Sequence, residues 1–387
     1  MPEMPRQHDM ALNSTAYQPS PLIRYVLRGL RNCWMPEHGR WSHIYHLDGR
    51  ARPNQSVPAS DVFYTLNVLL GFSRIAHLAL SHDFNLPKIF QQNVSLVPKL
   101  NSPKYAYGMA LWAAAELDLD IPAETLTAIA SVVEDRQHWK AFRAQDLGMI
   151  LIGCVEQARR ATSSRWASPA HELFAFLSQR YSCPNGLFFD AATGGRRGFS
   201  SFATHTYLTM ACYIYGAWSS NEHALTLAKA CTRKIIELQG PRGEWPWFFY
   251  TPGGRVVDFY EVYSVHEGGM APAFLECAEQ HGVPGASEAL VKGFRWIFGQ
   301  NQMNRSMLWK REGLICRSHV RKGELNDKKK RIVRAITNAL TGRCGTLIDP
   351  TGLELRLECR SYELGWILWS FGRRTDLNEI QYHADLL

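Results

Sequence analysis

The chain of 387 residues is 46% hydrophobic and 12% aromatic, which is enough to fill a large core, and its net charge is +8. The positive charge favours an acidic partner, but no zinc-finger spacing or aromatic–basic motif is present, so we expect no nucleic-acid binding. No run of about 18 apolar residues occurs, which argues against a membrane-spanning helix.

The first 20 residues are rich in proline and polar side chains, and they predict a flexible tail ahead of a single domain over residues 21–387. They lack the apolar core of a secretory signal. The nine cysteines are scattered without a CxxC pair, which is typical of reduced thiols in a cytoplasmic protein. The densest basic run, 327–331, is most simply a solvated face, and the excess positive charge also permits peripheral contact with an anionic membrane.

Apolar residues recur with helical spacing over most of the chain. About thirteen segments fit this pattern, close to the twelve helices of six hairpins. They are 22–33, 60–80, 86–97, 104–117, 122–134, 142–160, 168–181, 200–218, 221–239, 265–281, 286–299, 327–340 and 360–372. Alternating apolar patterns at 255–265 and 346–359 predict β-hairpins within loops.

Three stretches share one layout, in which a Thr-Gly turn is followed by an extended segment and a helix with a polar, aromatic start. They run from Gly186 to Gly216, from Gly243 to Ala278 and from Leu347 to Phe371. Their turns are 58 and 100 residues apart, close to one and two units of roughly 50 residues. Such repeats bury a core only when they stack, so the layout predicts an all-α ring of helical hairpins with decorated loops at one face.

This layout resembles the (α/α)6 toroids of six-hairpin glycosidases, polysaccharide lyases, uronate epimerases and terpenoid cyclases. Three strings, WPWFFYTPGGRVVDFYEVYSVHEGGMAP, WIFGQNQMNRSMLWKREGLICRS and ECRSYELGWILWSF, also resemble segments of uncharacterised bacterial proteins associated with exopolysaccharide biosynthesis. The resemblance spans about residues 60–372. It implies an (α/α)6 toroid and a role in polysaccharide assembly. Those proteins have a Gln-Asp pair after the histidine of YSVH, where this chain has Glu267-Gly268.

In a toroid the inner helices share one polarity, so the loops before them meet at one face. Polar side chains in the first turns of three inner helices should therefore converge in one funnel. They are His205, Tyr207, Tyr263, His266, Glu267, Arg360, Tyr362 and Glu363. For each lone histidine or tyrosine, a hydrogen bond at the helix entry is the simpler interpretation.

Glu244 stands beside Trp245 and Trp247 after a glycine-rich turn. A carboxyl in an aromatic pocket has a raised pKa, as a general acid requires, and the two indoles are candidate stacking platforms for a sugar. A glycosidase needs a second carboxylate. The candidates for it are Glu267, Asp190 and Glu363. The simpler interpretation of Glu244 is a loop carboxylate bonded to backbone amides.

Lyases and epimerases of uronates remove the proton next to a carboxylate, which requires a base and a cation. The candidate bases are His205, Tyr207, Tyr263, His266 and Tyr362. The candidate anchors for the carboxylate are Arg196, Arg197 and Arg360.

We therefore expect a carbohydrate-active enzyme that acts on an acidic sugar, as an oligosaccharide or a lipid-linked sugar, by hydrolysis, elimination or epimerisation. We expect no metal, since the HxxH pair at His43 and His46 lacks a third ligand, and no cofactor, since no phosphate-binding glycine loop is present. Two alternatives stay open. One is a terpenoid cyclase, for which the nearest acidic string is 116–120, and the other is a sugar-binding toroid without catalysis.

Overall fold

The computed structural model describes residues 18–50, 53–78, 84–100, 104–161, 164–325, 327–344 and 349–387. Residues 1–17 of the predicted tail lie outside these ranges. At Ser20 the chain already joins the first helix, because the Ser20 hydroxyl accepts a hydrogen bond from the backbone N–H of Ile23.

The described part of the chain forms fourteen α-helices. They are α1 (Pro21–Cys33), α2 (Pro58–Ser73), α3 (Leu86–Val94), α4 (Tyr105–Glu116), α5 (Ala123–Glu134), α6 (Ala144–Arg160), α7 (Ala167–Arg180), α8 (Phe202–Ser219), α9 (Glu222–Glu237), α10 (Ala271–Gln280), α11 (Ala286–Ile297), α12 (Lys328–Thr341), α13 (Ser361–Phe371) and α14 (Asn378–Gln381). Among the described residues, none of these helices combines the length and the apolar character that crossing a bilayer requires.

Six of the helices form a closed inner ring. Around the ring they follow the order α2, α4, α6, α8, α10 and α13, and α13 packs back against α2. Helices α1, α3, α5, α7, α9 and α11 alternate with them along the chain and form the outer layer. The prediction of an all-α (α/α)6 toroid is confirmed. The ring closes only when α13 meets α2, which supports the single domain that we propose for residues 21–387.

The two layers differ in sequence because they differ in what covers them. Inner helices such as α4 and α13 are buried on almost every side, so they are apolar all round. Outer helices such as α9 and α11 bury one face and expose the other. Glycines bring the inner helices close together. A Cβ added to Gly108 would lie 2.3 Å from the backbone of Met149, and one added to Gly71 would lie 2.4 Å from the carbonyl oxygen of Gly365.

Thirteen short strands were found in the described ranges. They are β1 (Trp34–Met35), β2 (Arg40–Trp41), β3 (Ile44–His46), β4 (Asn54–Gln55), β5 (Phe199–Ser201), β6 (Phe248–Tyr250), β7 (Arg255–Asp258), β8 (Val262–Tyr263), β9 (Leu308–Trp309), β10 (Leu314–Ile315), β11 (Ser318–Arg321), β12 (Leu353–Arg356) and β13 (Glu358–Cys359). Strands β4, β5, β8 and β13 come just before inner helices, so the short sheets gather at the face where those helices begin.

The sheets connect distant parts of the chain. The predicted hairpin within 255–265 is not formed, because β7 pairs back with β6 across the turn at 251–254 and β8 pairs with β11. The segment 353–359 does not fold back on itself, because β12 pairs with β11 and β13 pairs with β3. Strand β11 also pairs with β8, which sets Ser318 opposite Tyr263.

Candidate active site

Five polar side chains meet where the inner helices begin, and we call them the mouth cluster. They are Tyr64, Tyr263, His266, Arg317 and Tyr362. The rings of Tyr64 and Tyr362 have centres 4.4 Å apart, and those of Tyr263 and His266 are 5.2 Å apart. The guanidinium of Arg317 lies 5.0 Å from the ring centre of Tyr263 and interacts electrostatically with Tyr362 and Tyr64.

Arg317 is the positive charge of this cluster. Its Nε lies 3.2 Å from Oε1 of Glu358, and its backbone carbonyl accepts a hydrogen bond from the Ser264 hydroxyl. Its Nη1 is buried and has no hydrogen-bond partner among the described residues. A buried guanidinium N–H without a partner is costly, so this atom is suited to binding an anionic group. The sequence predictions did not include Arg317.

His266 occupies the first residue of a π-helical turn, His266–Met270, that precedes α10. Its ring lies 4.7 Å from that of Phe202. Burial, with help from the charge of Arg317, lowers the pKa of His266 to about 3, so the imidazole is neutral near pH 7. Within the described part of the chain its Nδ1 has no hydrogen-bond partner, which leaves a lone pair or a proton available there.

Two tyrosines of the mouth cluster, Tyr263 and Tyr362, are protonated phenols. Burial and the charge of Glu261 raise the pKa of Tyr263, whose hydroxyl donates to Oε2 of Glu261 at 3.1 Å. Burial, followed by the neighbouring Tyr64, raises the pKa of Tyr362 well above its usual value. Both groups are therefore suited to donating a proton at neutral pH rather than to removing one.

Tyr207 belongs to the same funnel but lies further along its helix. Its ring centre is 6.0 Å from that of Trp366, and burial raises its pKa. Tyr105, at the start of inner helix α4, interacts electrostatically with both Tyr207 and Tyr64. These phenols therefore lie beside the mouth cluster.

Two aspartates, Asp146 and Asp190, form an acidic pair near the starts of α6 and α8. Asp146 accepts hydrogen bonds from the backbone N–H groups of Tyr105 and Arg143, at 3.2 and 3.1 Å. Burial raises its pKa, and the charge of Asp190 adds to that effect. Asp190 accepts from the hydroxyl of Thr204 at 2.5 Å. The sequence analysis missed Asp146, although its place in the first turn of an inner helix could have indicated it.

Glu244 and Glu267 lie in the wall of the toroid rather than in its mouth. Oε1 of Glu267 accepts from the backbone N–H of Trp245 at 2.8 Å, and a Cβ added to Gly293 of α11 would lie 3.3 Å from Oε2. Glu244 accepts from the N–H of Arg242 at 2.9 Å. Burial raises the pKa of both carboxyls. They are packed against an outer helix, so the structure does not bring them to the mouth cluster.

The two tryptophans beside Glu244 differ in exposure. Trp245 is fully buried and stacks on Phe202, so its faces are not open to a sugar. Trp247 is half-buried, and the guanidinium of Arg331 lies 5.4 Å from its ring centre. Of the two expected stacking platforms, only Trp247 is partly exposed.

His205 points away from the funnel. Its Nδ1 accepts from the N–H of Phe188 at 3.3 Å and lies 3.9 Å from Sγ of Cys231 on α9, while its Nε2 is 2.9 Å from the Ser200 hydroxyl. Burial lowers its pKa to about 3. These contacts are those of a structural histidine. His205 makes them because it lies on the side of α8 that faces away from the funnel.

Two further predicted site residues, Arg360 and Glu363, lie at the start of α13. Neither offers an unpaired charge to a substrate. Arg360 pairs with Glu358, with Nη2 2.7 Å from Oε1, so it supports Arg317 through a shared carboxylate. Glu363 is buried, and burial raises its pKa well above the usual value. The acidic string expected for a terpenoid cyclase begins where α4 ends, and Asp118 pairs there with Arg160. That is the end of α4 away from the mouth cluster.

Comparison with solved structures places this ring among known toroids. A glycosyl hydrolase family 88 protein from Bacteroides vulgatus superposes with a TM-score of 0.56 at 12% identity, covering 92% of this chain and 99% of that one. A possible member of the GH105 family from Salmonella enterica superposes with a TM-score of 0.57 at 12% identity, covering 96% and 98%. An unsaturated glucuronyl hydrolase from Bacillus sp. GL1 gives 0.54 at 12% identity, covering 94% and 98%.

The chain has the fold of the six-hairpin glycosidases. At this identity the likeness establishes the fold alone. No protein-family model matches the chain, and the search of curated proteins by sequence found no match.

Proposed function

We propose that this toroid is a carbohydrate-active enzyme that binds an acidic sugar in its mouth cluster. The observation that carries the proposal is the environment of Arg317, a half-buried cation whose Nη1 is itself buried and has no partner among the described residues. Around it lie the phenols of Tyr263 and Tyr362 and the neutral imidazole of His266. A carboxylate bound to Arg317 would hold a uronate ring against groups that can accept and donate protons.

The residues of the mouth cluster favour proton removal next to a carboxylate. In an elimination, His266 takes the proton from C5 of the uronate while Arg317 neutralises the charge that builds on its carboxylate. The electron pair forms the C4–C5 double bond, the C4–O bond breaks, and the leaving oxygen takes the phenolic proton of Tyr263. Epimerisation shares the first step, after which C5 takes a proton from a phenol on its other face, and Tyr362 is the candidate donor.

Hydrolysis is the second candidate, and the Asp146–Asp190 pair favours it. A glycosidase uses one protonated and one ionised carboxyl, and burial raises the pKa of Asp146, as the acid requires. Similar toroids described as glycosyl hydrolases, including the unsaturated glucuronyl hydrolase, support this possibility and an acidic substrate. Trp247 would then stack on a sugar ring at the rim.

We place the reaction in polysaccharide assembly, with an oligosaccharide or a lipid-linked sugar as the substrate. The proposed compartment is the cytoplasm, which agrees with the nine cysteines of the chain, eight of which are buried and form no disulfide. The carboxylate in the substrate agrees with the positive charge of the chain, +8.

A product assay with oligoglucuronates, oligomannuronates and neutral oligoglucosides tests the proposal. Ultraviolet absorbance reports elimination, exchange of the C5 hydrogen in D₂O reports epimerisation, and new reducing ends report hydrolysis. We expect turnover of an acidic oligosaccharide that His266→Ala abolishes, while His223→Ala, an exposed histidine on α9, leaves it unchanged. Calorimetry with the same sugars distinguishes the non-catalytic alternative, for which binding is seen and no product forms.

A further inference from the structure

Helix α12 carries its apolar side chains on the outside of the molecule. Ile332, Val333, Ile336 and Leu340 are 51%, 63%, 44% and 83% exposed, and their spacing sets them on one side of the helix. Single apolar residues are common on protein surfaces, but a contiguous group of them marks a contact surface. We call these four residues the α12 stripe.

The opposite side of α12 is polar, and it is buried against the rim of the mouth. Nη1 of Arg331 lies 2.8 Å from Oε2 of Glu261, the carboxylate that also accepts from Tyr263. The side-chain amide of Asn338 donates to the carbonyl of Val257 at 2.9 Å. Rotating the helix to bury the α12 stripe would break these contacts. The ion pair of Arg331 and the hydrogen bond of Asn338 therefore hold the apolar side outward.

Basic residues stand at both ends of the α12 stripe. Lys329 and Lys330 are exposed at its start, and Arg343 is exposed just beyond its end. The nearest acidic residues along the chain are occupied. Asp327 accepts from the backbone N–H of Lys330, and its Oδ2 lies 3.7 Å from the ammonium of the same lysine. Glu324 is buried in an ion pair with an arginine. An aliphatic stripe bordered by cations is the pattern of helices that lie in the headgroup region of an anionic bilayer.

A second copy of the chain fits this surface less well. Two α12 helices packed antiparallel would bring Lys329 and Lys330 of one copy to Arg343 of the other, and parallel packing would set lysine against lysine. The α12 stripe is also short. It spans roughly 12 Å of helix, whereas a stable interface covers about 800 Å² on each partner.

We propose that α12 is a membrane-docking helix, whose stripe inserts into the headgroup region of an anionic lipid surface while Lys329 and Lys330 contact lipid phosphates. The proposal does not depend on the chemistry of the mouth cluster. Because Arg331 joins α12 to the rim through Glu261, docking sets the rim of the mouth beside the lipid surface.

Co-sedimentation with vesicles tests this docking. The full chain is expected to sediment with phosphatidylcholine–phosphatidylglycerol vesicles, and to stay in solution with phosphatidylcholine alone. The triple variant Ile332→Ser/Ile336→Ser/Leu340→Ser should lower partition onto the mixed vesicles by about tenfold or more, because the inserted apolar surface is lost. Lys329→Glu/Lys330→Glu should lower it by at least about tenfold and weaken its dependence on salt.

Matched variants elsewhere on the surface serve as controls. Val57→Ser/Leu387→Ser removes exposed apolar side chains, and Lys88→Glu/Lys140→Glu makes the same charge change away from α12. Both should bind like the unaltered chain. The proposal is overturned if the unaltered chain stays in solution with the mixed vesicles, or if the controls lose as much binding as the α12 variants. A dimer that only the serine variant loses would assign the surface to a second copy instead.

Discussion

The guanidinium of Arg317 lies over the ring of Tyr263 at 5.0 Å, while the hydroxyl of that tyrosine donates to Glu261. The two residues are held together by the pairing of β11 with β8, which sets Ser318 opposite Tyr263. A cation on one side of the phenol and a carboxylate at its hydroxyl fix the ring in place. The contact thereby sets the distance between the proposed anion anchor and the proposed proton donor.

Replacing Arg317 should remove the preference for acidic sugars. Because the lost contact is a charge-assisted hydrogen bond from the buried Nη1, Arg317→Met should weaken binding of a glucuronate trisaccharide by about 2–5 kcal/mol. Binding of the matching glucose trisaccharide should change little. Titration calorimetry with both sugars measures the difference. Arg233→Met, at an exposed position on α9, is the control and should keep the preference.

His266 and His205 should respond differently to substitution. His266→Gln should lower kcat by about 10²-fold or more, since a proton carrier is lost, with only a small change in melting temperature. His205→Asn should destabilise the fold by about 1–3 kcal/mol, because buried hydrogen bonds are broken, and the folded fraction should keep its kcat. Paired kinetics and thermal unfolding of the two variants measure this, and equal losses of kcat would contradict the placement of His205 in the wall.

Glu267 should make the protein less stable as the pH rises. Its folded pKa lies well above the unfolded value of 4.5, so the folded state keeps a proton that the unfolded state has lost. Its stabilising contribution is complete below pH 4.5 and is lost as the pH rises towards the folded pKa. Glu267→Gln cannot titrate, so its free energy of unfolding relative to the unaltered chain should increase by up to about 1.4 kcal/mol per pH unit in that window.

Urea unfolding of the two proteins at about pH 5 and about pH 8 measures this difference. Glu237→Gln, at an exposed position, is the control and should show no such trend. A difference between Glu267→Gln and the unaltered chain that stays flat with pH would show that Glu267 ionises normally.

Glu261 should be a main support of the rim. It is 1% exposed and accepts from Arg331 and Arg356 at 2.8 and 2.7 Å. Burial alone would raise its pKa, but Arg356 and the other donors outweigh that effect and lower it. Glu261→Gln leaves two arginines without their anion, so it should cost about 3–5 kcal/mol of unfolding free energy. Denaturant unfolding measures the cost, and a loss below about 1 kcal/mol would place this ion pair with ordinary exposed ones.

The same carboxylate predicts a second pH effect, of opposite sign to that of Glu267. Because the folded pKa of Glu261 is lowered, its contribution is present above pH 4.5 and is lost as the pH falls through the folded pKa. The unaltered chain should therefore lose more stability than Glu261→Gln on acidification below pH 4.5.

The ring of helices could be predicted from the sequence because apolar spacing reports which segments bury a face. The predicted helix 265–281 is interrupted, since His266–Met270 form a π-helical turn before α10 begins. The predicted helix 60–80 ends at Ser73, and α14 is too short to show a helical period. Spacing reports long α-helices better than a single π turn or a four-residue helix.

The direction of each side chain was harder to predict than the position of its helix. His205 and Tyr207 are two residues apart, which turns one about 200° from the other around α8, so they cannot both face the funnel. This argument needs only the sequence. In the structure Tyr207 faces the funnel and His205 faces away from it. The position of Arg317 could not be predicted from helix geometry, because this residue reaches the mouth through strand pairing between segments that are about 55 residues apart.

A crystal soaked with an acidic oligosaccharide tests the proposed site most directly. We expect the uronate ring in the funnel, with its carboxylate within hydrogen-bond distance of Nη1 of Arg317, about 2.7–2.9 Å for a charge-assisted contact, and with C5 facing His266. A sugar bound with its carboxylate away from Arg317, or one seated outside the mouth cluster altogether, would contradict the proposal.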